Sequence, residues 1–534
     1  MTESLPTGRQ AVRGARLKTK MFKKLFTKKS EEKYYVPKEV INVSSVLKNA
    51  GFESYLIGGC VRDILLSRKP KDWDLTTNAT PEQIIALFPK TFYENTFGTV
   101  GVVDEACTDE TVKVIEVTPF RLESEYSDNR RPDSVIFSQK LEDDLKRRDF
   151  TINAIALNVN EGSGETDESS DITRFTGELI DPYKGQLDLA EKVLKTVGNP
   201  TERFQEDGLR IMRAVRIATE LGFTINEDTV EAITKNASLL KNIAKERIAT
   251  EFNSLLMSKQ PMVGIFMCQK LGLLPYIIPE LEKTMGIEQG GAHLFDVYEH
   301  SLRSLQVAAD KDFPLEIRIA ALLHDIGKPK SRRAGTGSKE WTFFGHEVVG
   351  YKLAKNILED LKYPKRTSEK VLSLIRWHMF FSDTEQITLS AVRRMIVNVG
   401  QDNIWDLMNT RICDRLGMGR PKEDPYRLRK YHSMIEEALR DPISVGMLKI
   451  DGLGLMKLTG ETPGPRIGWI LNAILEEILE NPSLNTEAEL EKLALSKAKL
   501  SDKELKEIGD KGKERKEEEE EKEIKRIRSK HKVK

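Results

Sequence analysis

Two hydrophobic periods divide this chain. In its first third the apolar runs are short and end in glycine, proline or acidic residues. Tyr55-Leu56-Ile57 stops abruptly at Gly58-Gly59, which reads as a buried strand leaving into a tight turn. Cys60 to Leu66 then has helical spacing, with Val61, Ile64 and Leu65 able to share a face and Pro70 as its stop. Trp73 and Leu75 flank a second strand, and further strands are read at Phe97 to Val103 and Val112 to Val117. Between them, Pro81 to Phe88 reads as a helix capped by Thr80. After Thr201 the period becomes helical and stays so. Thr201 to Leu221 predicts one amphipathic helix with Ile211, Met212, Val215 and Ile217 on its apolar face. Short helices follow from Asn226 to Ile278, an apolar helix covers Ile317 to Ile326, and more helical segments fill Pro442 to Leu495. The pattern predicts an α/β head followed by an all-α body, mainly α overall.

Composition narrows the class. At 534 residues the chain has room for about three or four domains. Lys+Arg and Asp+Glu are both 84, so any nucleic-acid surface must be a local patch. Cys60, Cys107, Cys268 and Cys413 are far apart with no CxxC, which suits reduced thiols in a cytoplasmic protein and excludes a zinc-thiolate motif. No apolar run approaches membrane-spanning length. The basic start, residues 1–36, predicts a disordered arm, and the charged end, residues 496–534, predicts a solvated tail.

The chemistry concentrates at GGCVRDILLSRKPKDWDL. Asp72 and Asp74, two apart on the predicted strand, would face one side of the sheet. Two such carboxylates repel unless a cation lies between them, and paired oxygen ligands suit Mg²⁺ held together with substrate phosphates. Gly58-Gly59 lets backbone N–H groups approach an anion, and Arg62 offers a planar fork for phosphate oxygens. Glu116 is a candidate third carboxylate.

With these residues in place the chain resembles the class II nucleotidyltransferase family, which contains bacterial tRNA CCA-adding enzymes and poly(A) polymerases. The resemblance implies a polymerase-β-type head in which Gly58, Gly59, Arg62 and Asp63 meet the triphosphate and Asp72 and Asp74 hold catalytic Mg²⁺. LKRRDFTINAIA is similar to the family's segment contacting triphosphate and ribose, giving those roles to Arg148 and Asp149. Glu206, Asp207 and Arg210 match the family's Glu-Asp-x-x-Arg motif, a protein template for the incoming base. A carboxylate accepts and a guanidinium donates hydrogen bonds, as the edges of cytosine and adenine require. Arg213 and Arg216 continue that stripe. The loop EVTPFRLESEYSDNRRPDSV corresponds to one that helps the family change from C to A.

A second constellation starts at His300. His324-Asp325 ends an apolar helix, and His346, His378 and Asp414 follow. Imidazole and carboxylate can bind one divalent metal together. The order His, His-Asp, Asp resembles the HD phosphohydrolase domain, which implies His300, His324, Asp325 and Asp414 as ligands of a divalent metal of unspecified identity. His346 and His378 fall where some members hold a second metal.

The expected organisation is a nucleotidyltransferase head at 37–185, a helical neck and body at 186–285, an HD domain at 286–440 and a C-terminal helical region at 441–495. The implied activity is addition of C, C and A to tRNA from CTP and ATP. An A-adding enzyme, a poly(A) polymerase and an HD phosphohydrolase with a non-catalytic head are the alternatives.

Overall fold

The computed structural model describes residues 32–93, 98–105, 107–123, 135–159, 165–167, 172–290, 294–335, 341–380, 387–420, 422–423, 425–439, 445–506 and 508. The chain divides into two compact units, residues 1–255 with 267–276, and residues 256–266 with 277–534.

The first unit is built on a mixed sheet. Its strands are β1 (Glu32–Tyr35), β2 (Ser54–Ile57), β3 (Asp74–Thr77), β4 (Thr91–Tyr93), β5 (Val100–Val103) and β6 (Val114–Pro119). A separate hairpin of β7 (Arg121–Glu123) and β8 (Val135–Phe137) follows, and β9 (Ala156–Val159), β10 (Glu165–Asp167) and β11 (Ile172–Ile180) return to the sheet. The order is β1-β11-β9-β2-β3-β6-β5-β4, with β10 on β11. Along that order every pair is antiparallel except β3 with β6. Period-two alternation is clean at the centre. Leu75 and Val117 are fully buried on one face, and Asp74, Thr76, Glu116 and Thr118 share the other.

Helix α1 (Lys38–Asn49) buries Val40, Ile41, Val43 and Leu47. Helix α2 (Gly59–Leu65) starts directly after the Gly58 turn, and α3 (Pro81–Leu87) opens with a capping box between Thr80 and Gln83. Helix α4 (Leu141–Lys146) packs Leu141 and Leu145 against Ile57, Phe120 and Ala156.

Three sequence expectations change here. Glu32–Tyr35, read as the end of a basic arm, is a strand paired with β11, with Tyr34 buried. The stretch from Glu161 to Ser170, whose Gly, Ser and acidic composition predicts a loop, contains β10. The helix expected from Thr201 to Leu221 is two helices, α5 (Pro200–Glu206) and α6 (Leu209–Leu221), broken at Asp207-Gly208. Asp207 is extended (φ −141°), and its carboxylate accepts from Leu209 N at 3.0 Å, which starts the second helix as the first ends. Helix α7 (Lys245–Leu256) then closes the first unit.

The second unit is helical. Its main elements are α8 (Val297–Asp310), α9 (Leu315–Leu323), α10 (His346–Asp360), α11 (Lys365–Trp377) and α12 (Ile404–Gly417). Near its end, α13 (Pro465–Glu480) and α14 (Glu487–Ala498) enclose a core of their own around Ile470, Ile474, Ile478 and Leu490. Among the described residues no helix is long and apolar enough to cross a membrane.

Candidate functional site

In the first unit, the turn after β2 sets the geometry. Gly58 has φ +80°, in the region that favours glycine. A Cβ there would lie 3.0 Å from Arg148 Nη1 and 3.4 Å from Asp74 Oδ2. The glycine is therefore the floor on which an arginine and a catalytic-type carboxylate converge. Asp74 is the first residue of β3 and half-buried, and it stands directly opposite Glu116 in the parallel register. Asp72 departs from expectation. It lies in the bend before β3, not on the strand, and is exposed. Burial, then Asp74 and more weakly Asp72, push the Cys60 thiol up to about 12.

Arg62 holds Asp63 and donates to Asn153 Oδ1 at 3.0 Å, which ties α2 to the segment after α4. Arg148 pairs with Asp144 at 3.2 Å, and its buried Nε has no hydrogen-bond partner among the described residues. Arg148 Nη1, the guanidinium nitrogen beside Gly58, is placed to meet an incoming phosphate oxygen. Asp149 is differently used. Its carboxylate accepts from Phe150 N, Asn153 Nδ2 and Arg213, the last at 2.6 and 2.8 Å. Burial alone would raise this carboxyl, but the Arg213 charge and hydrogen bonds outweigh it and hold the group below the usual carboxylate range.

The base-reading candidates line the break between α5 and α6. Glu206 holds Arg210, which also donates to the carbonyls of Arg203 and Arg147. Asp207 is paired with Arg247 of α7 at 2.8 Å. Arg216 is bound to Glu251 and Glu220. The stripe thus comprises residues each held by a different neighbour. Of the loop expected at residues 116–135 to help the change from C to A, 116–119 and 121–123 are strand, in β6 and β7, and 124–134 lie outside the described residues.

In the second unit, four of the seven histidines and two aspartates form one buried cluster. Ligand atoms of His300, His324 and Asp414 lie within 4.8 Å of one another, as do those of Asp325, His346 and His378. Among the described residues these are the groups in which three such atoms come so close. Asp325 joins the two. Its Oδ2 lies 3.4 Å from His300 and 3.2 Å from His324, while its Oδ1 lies 3.2 Å from His346 and 3.7 Å from His378. His324, His346 and His378 each place Nδ1 against a main-chain carbonyl, of Ala321, Phe343 and Ile375, which leaves Nε2 to face inward.

Small residues gather these ligands from separate helices. A Cβ on Gly417 would overlap Ser304, so α8 and α12 approach closely enough for His300 and Asp414 to meet at 3.2 Å. A Cβ on Gly327 would overlap the His346 carbonyl, which sets the His-Asp turn against α10. Sequence reading missed Lys328, whose ammonium lies 2.6 Å from Asp325 Oδ2. Its signal was present, three residues beyond Asp325 in HDIGK. The chemistry of the set, imidazole nitrogens with carboxylates and no thiolate, suits a divalent cation.

Comparison with known proteins follows the same division. The Poly A polymerase head domain family matches residues 54–195, the Probable RNA and SrmB-binding site of polymerase A matches 222–285, and the HD domain matches 297–403. The CCA-adding enzyme of Ligilactobacillus salivarius is 32% identical over 451 residues, 84% of this chain and 93% of that protein. That of Geobacillus sp. (strain WCH70) is 40% identical over 240 residues, 45% of this chain and 54% of its relative. The chain thus spans about half the length of several curated relatives it matches. Among solved structures, the Bacillus stearothermophilus CCA-adding enzyme in complex with CTP superposes with a TM-score of 0.61 at 27% identity, covering 86% of this chain and 96% of that one. An apo form of a CCA-adding enzyme, at 20% identity and a TM-score of 0.54, shares the fold.

Proposed function

This chain belongs to the CCA-adding enzyme family, and we propose that it adds C, C and A to the 3′ end of tRNA from CTP and ATP. The single observation that carries the reading is the convergence of Asp74 and Arg148 on the Gly58 turn. A related structure was solved with CTP bound.

In this reading the tRNA 3′-hydroxyl attacks the α-phosphorus in line. The new O–P bond forms as the bond to the bridging oxygen of the β-phosphate breaks, and pyrophosphate leaves with the electron pair. Asp72 and Asp74 would hold Mg²⁺, with Glu116 beside Asp74, and such an ion supplies nucleophile activation and charge neutralisation on the leaving oxygens. The Gly58-Gly59 turn admits the triphosphate close to the main chain. Arg62 and Arg148 neutralise its charge, Arg148 through the guanidinium edge beside Gly58. Asp149 contributes by fixing Arg213 and the turn at Asn153. Asp207 accepts from the exocyclic amine of cytosine or adenine and Arg210 donates to ring acceptors, with Arg247 and Glu206 holding each in place. The protein is cytoplasmic in this reading.

The buried His/Asp cluster supports a second activity, metal-assisted hydrolysis of a phosphate ester, with His300, His324 and Asp414 holding one divalent ion and Asp325, His346 and His378 another.

Incubating tRNA that lacks its 3′ end with CTP, ATP or both, and sequencing the products, tests the main reading. Addition of CC with CTP alone and CCA with both is expected. Addition of A only, and only to tRNA already ending in CC, would make the protein an A-adding enzyme. Indefinite A tracts on unstructured RNA would make it a poly(A) polymerase.

A further inference from the structure

We propose that Asp144 is a positioning residue that aligns both the phosphate-binding and the base-reading arginines of the head, an inference that rests on the nucleotide-adding reading above.

Asp144 stands in the acidic run Glu142-Asp143-Asp144, yet it alone of the three is fully buried. A buried carboxylate is tolerated when it is paired and hydrogen-bonded, and this one has three partners. Its Oδ1 accepts from Arg147 Nε at 2.8 Å and Nη2 at 2.6 Å, a two-pronged grip. Its Oδ2 accepts from Arg148 Nη2 at 3.2 Å and lies 3.5 Å from Thr76 Oγ1, whose hydroxyl also donates to the Thr118 carbonyl at 3.0 Å. Burial would raise its carboxyl, but the two guanidinium charges outweigh that and keep it ionised.

Each partner leads to a different part of the reaction. Thr76 lies two residues after Asp74 on the same face of β3, so Asp144 fastens the end of α4 to the strand that carries the catalytic carboxylate. Arg148 is the arginine against Gly58. Arg147 turns its main-chain carbonyl toward Arg210, which donates to it through Nη2 at 3.1 Å. The neighbouring carbonyl of Lys146 accepts from Arg203, which is paired in turn with Glu206. One buried charge therefore sets the phosphate arm through Arg148 and the base-reading arm through Arg147. A purely structural ion pair would stabilise the head without coupling these two arms.

The test is Asp144→Asn, which keeps the shape and removes the charge, assayed as single-turnover addition of each of the four nucleotides to tRNA lacking its 3′ end. The rate of C addition is expected to fall about 100-fold, the scale of a reacting group displaced by about an ångström. Selection against UTP and GTP is expected to weaken about tenfold, as for one lost specificity contact. Arg147→Met removes the grip of Asp144 on residue 147, leaving its main-chain carbonyl and the Asp144–Arg148 pair, and is expected to lose selection more than rate. If the wild-type protein does not extend the tRNA, the nucleotide-adding reading fails. If the wild type is active and a folded Asp144→Asn keeps its rate and selection, or loses rate with selection intact, the positioning role of Asp144 is overturned. Circular dichroism and thermal melting establish folding. Should Asp144→Asn not fold, unchanged selection in Arg147→Met overturns the proposal.

Discussion

The head and the helical body both present acids and cations fit for phosphate chemistry, but they arrange them in opposite ways. In the body, four imidazoles and two carboxylates are buried and face one another, with Lys328 and Arg411 against the carboxylates and main-chain carbonyls against three of the imidazoles. In the head, Asp72 is exposed and Asp74 half-buried, and Asp74 meets Arg148 at the Gly58 turn. In the proposed reading the difference is one of when a cation arrives. A closed set of imidazoles and carboxylates can retain a metal through purification, because its ligands are preassembled. An open carboxylate pair meets Mg²⁺, which keeps waters and relies on substrate phosphates for part of its shell.

That contrast can be broken most severely at Asp74. Asp74→Ala is expected to lower nucleotide addition about 10³-fold or more, several kcal/mol of transition-state stabilisation. Metal retained by the purified protein is expected to stay unchanged. Rapid-quench assays and elemental analysis read the two together, and wild-type turnover by this variant would remove Asp74 from the chemistry. His324→Ala is the reciprocal experiment. It is expected to strip tightly held metal from the protein while C addition proceeds at the wild-type rate. Full metal retention would show that the cluster is a satisfied core rather than a metal centre.

A smaller effect tests whether the head's own ionic framework is structural. Asp149 is held below its ordinary range by Arg213, so it stabilises the fold fully above the unfolded value of about 3.9. That contribution is lost as pH falls from there through the lower folded value. The wild type should therefore lose melting temperature more steeply between about pH 5 and pH 3 than Asp149→Asn. Parallel acid profiles would mean that the pair contributes nothing to stability.

Much of this was legible in the residues themselves. The turn at Gly58-Gly59, the acid at the start of β3 and the arginine before Asp149 are local features, and local period and glycine placement identify them. The histidines and aspartates of the body were also readable, because apolar helical runs ending in His carry their own address. What escaped depends on contacts made across the chain. Nothing in EDDLK distinguishes the buried Asp144 from its half-exposed neighbour Asp143 until Arg147, Arg148 and Thr76 are folded around it. The break at Asp207-Gly208 was hidden because helical periodicity continues through it. Only the side chain of Asp207, turned back to cap α6, reveals the interruption. Strand β1 escaped for a similar reason, since its pairing partner β11 lies well over a hundred residues away.

The contact of Gly327 with the main chain of His346 has a consequence for how this protein can diverge. The spacing between Asp325 and His346 is registered by backbone against backbone, so hydrophobic neighbours can drift while the spacing holds. A single methyl group at position 327 would press on the main chain of His346 and part the halves of the cluster without changing any ligand side chain. A lineage that retires this centre therefore need not lose a histidine first; sequence surveys that count only histidines and aspartates would score such a copy as intact.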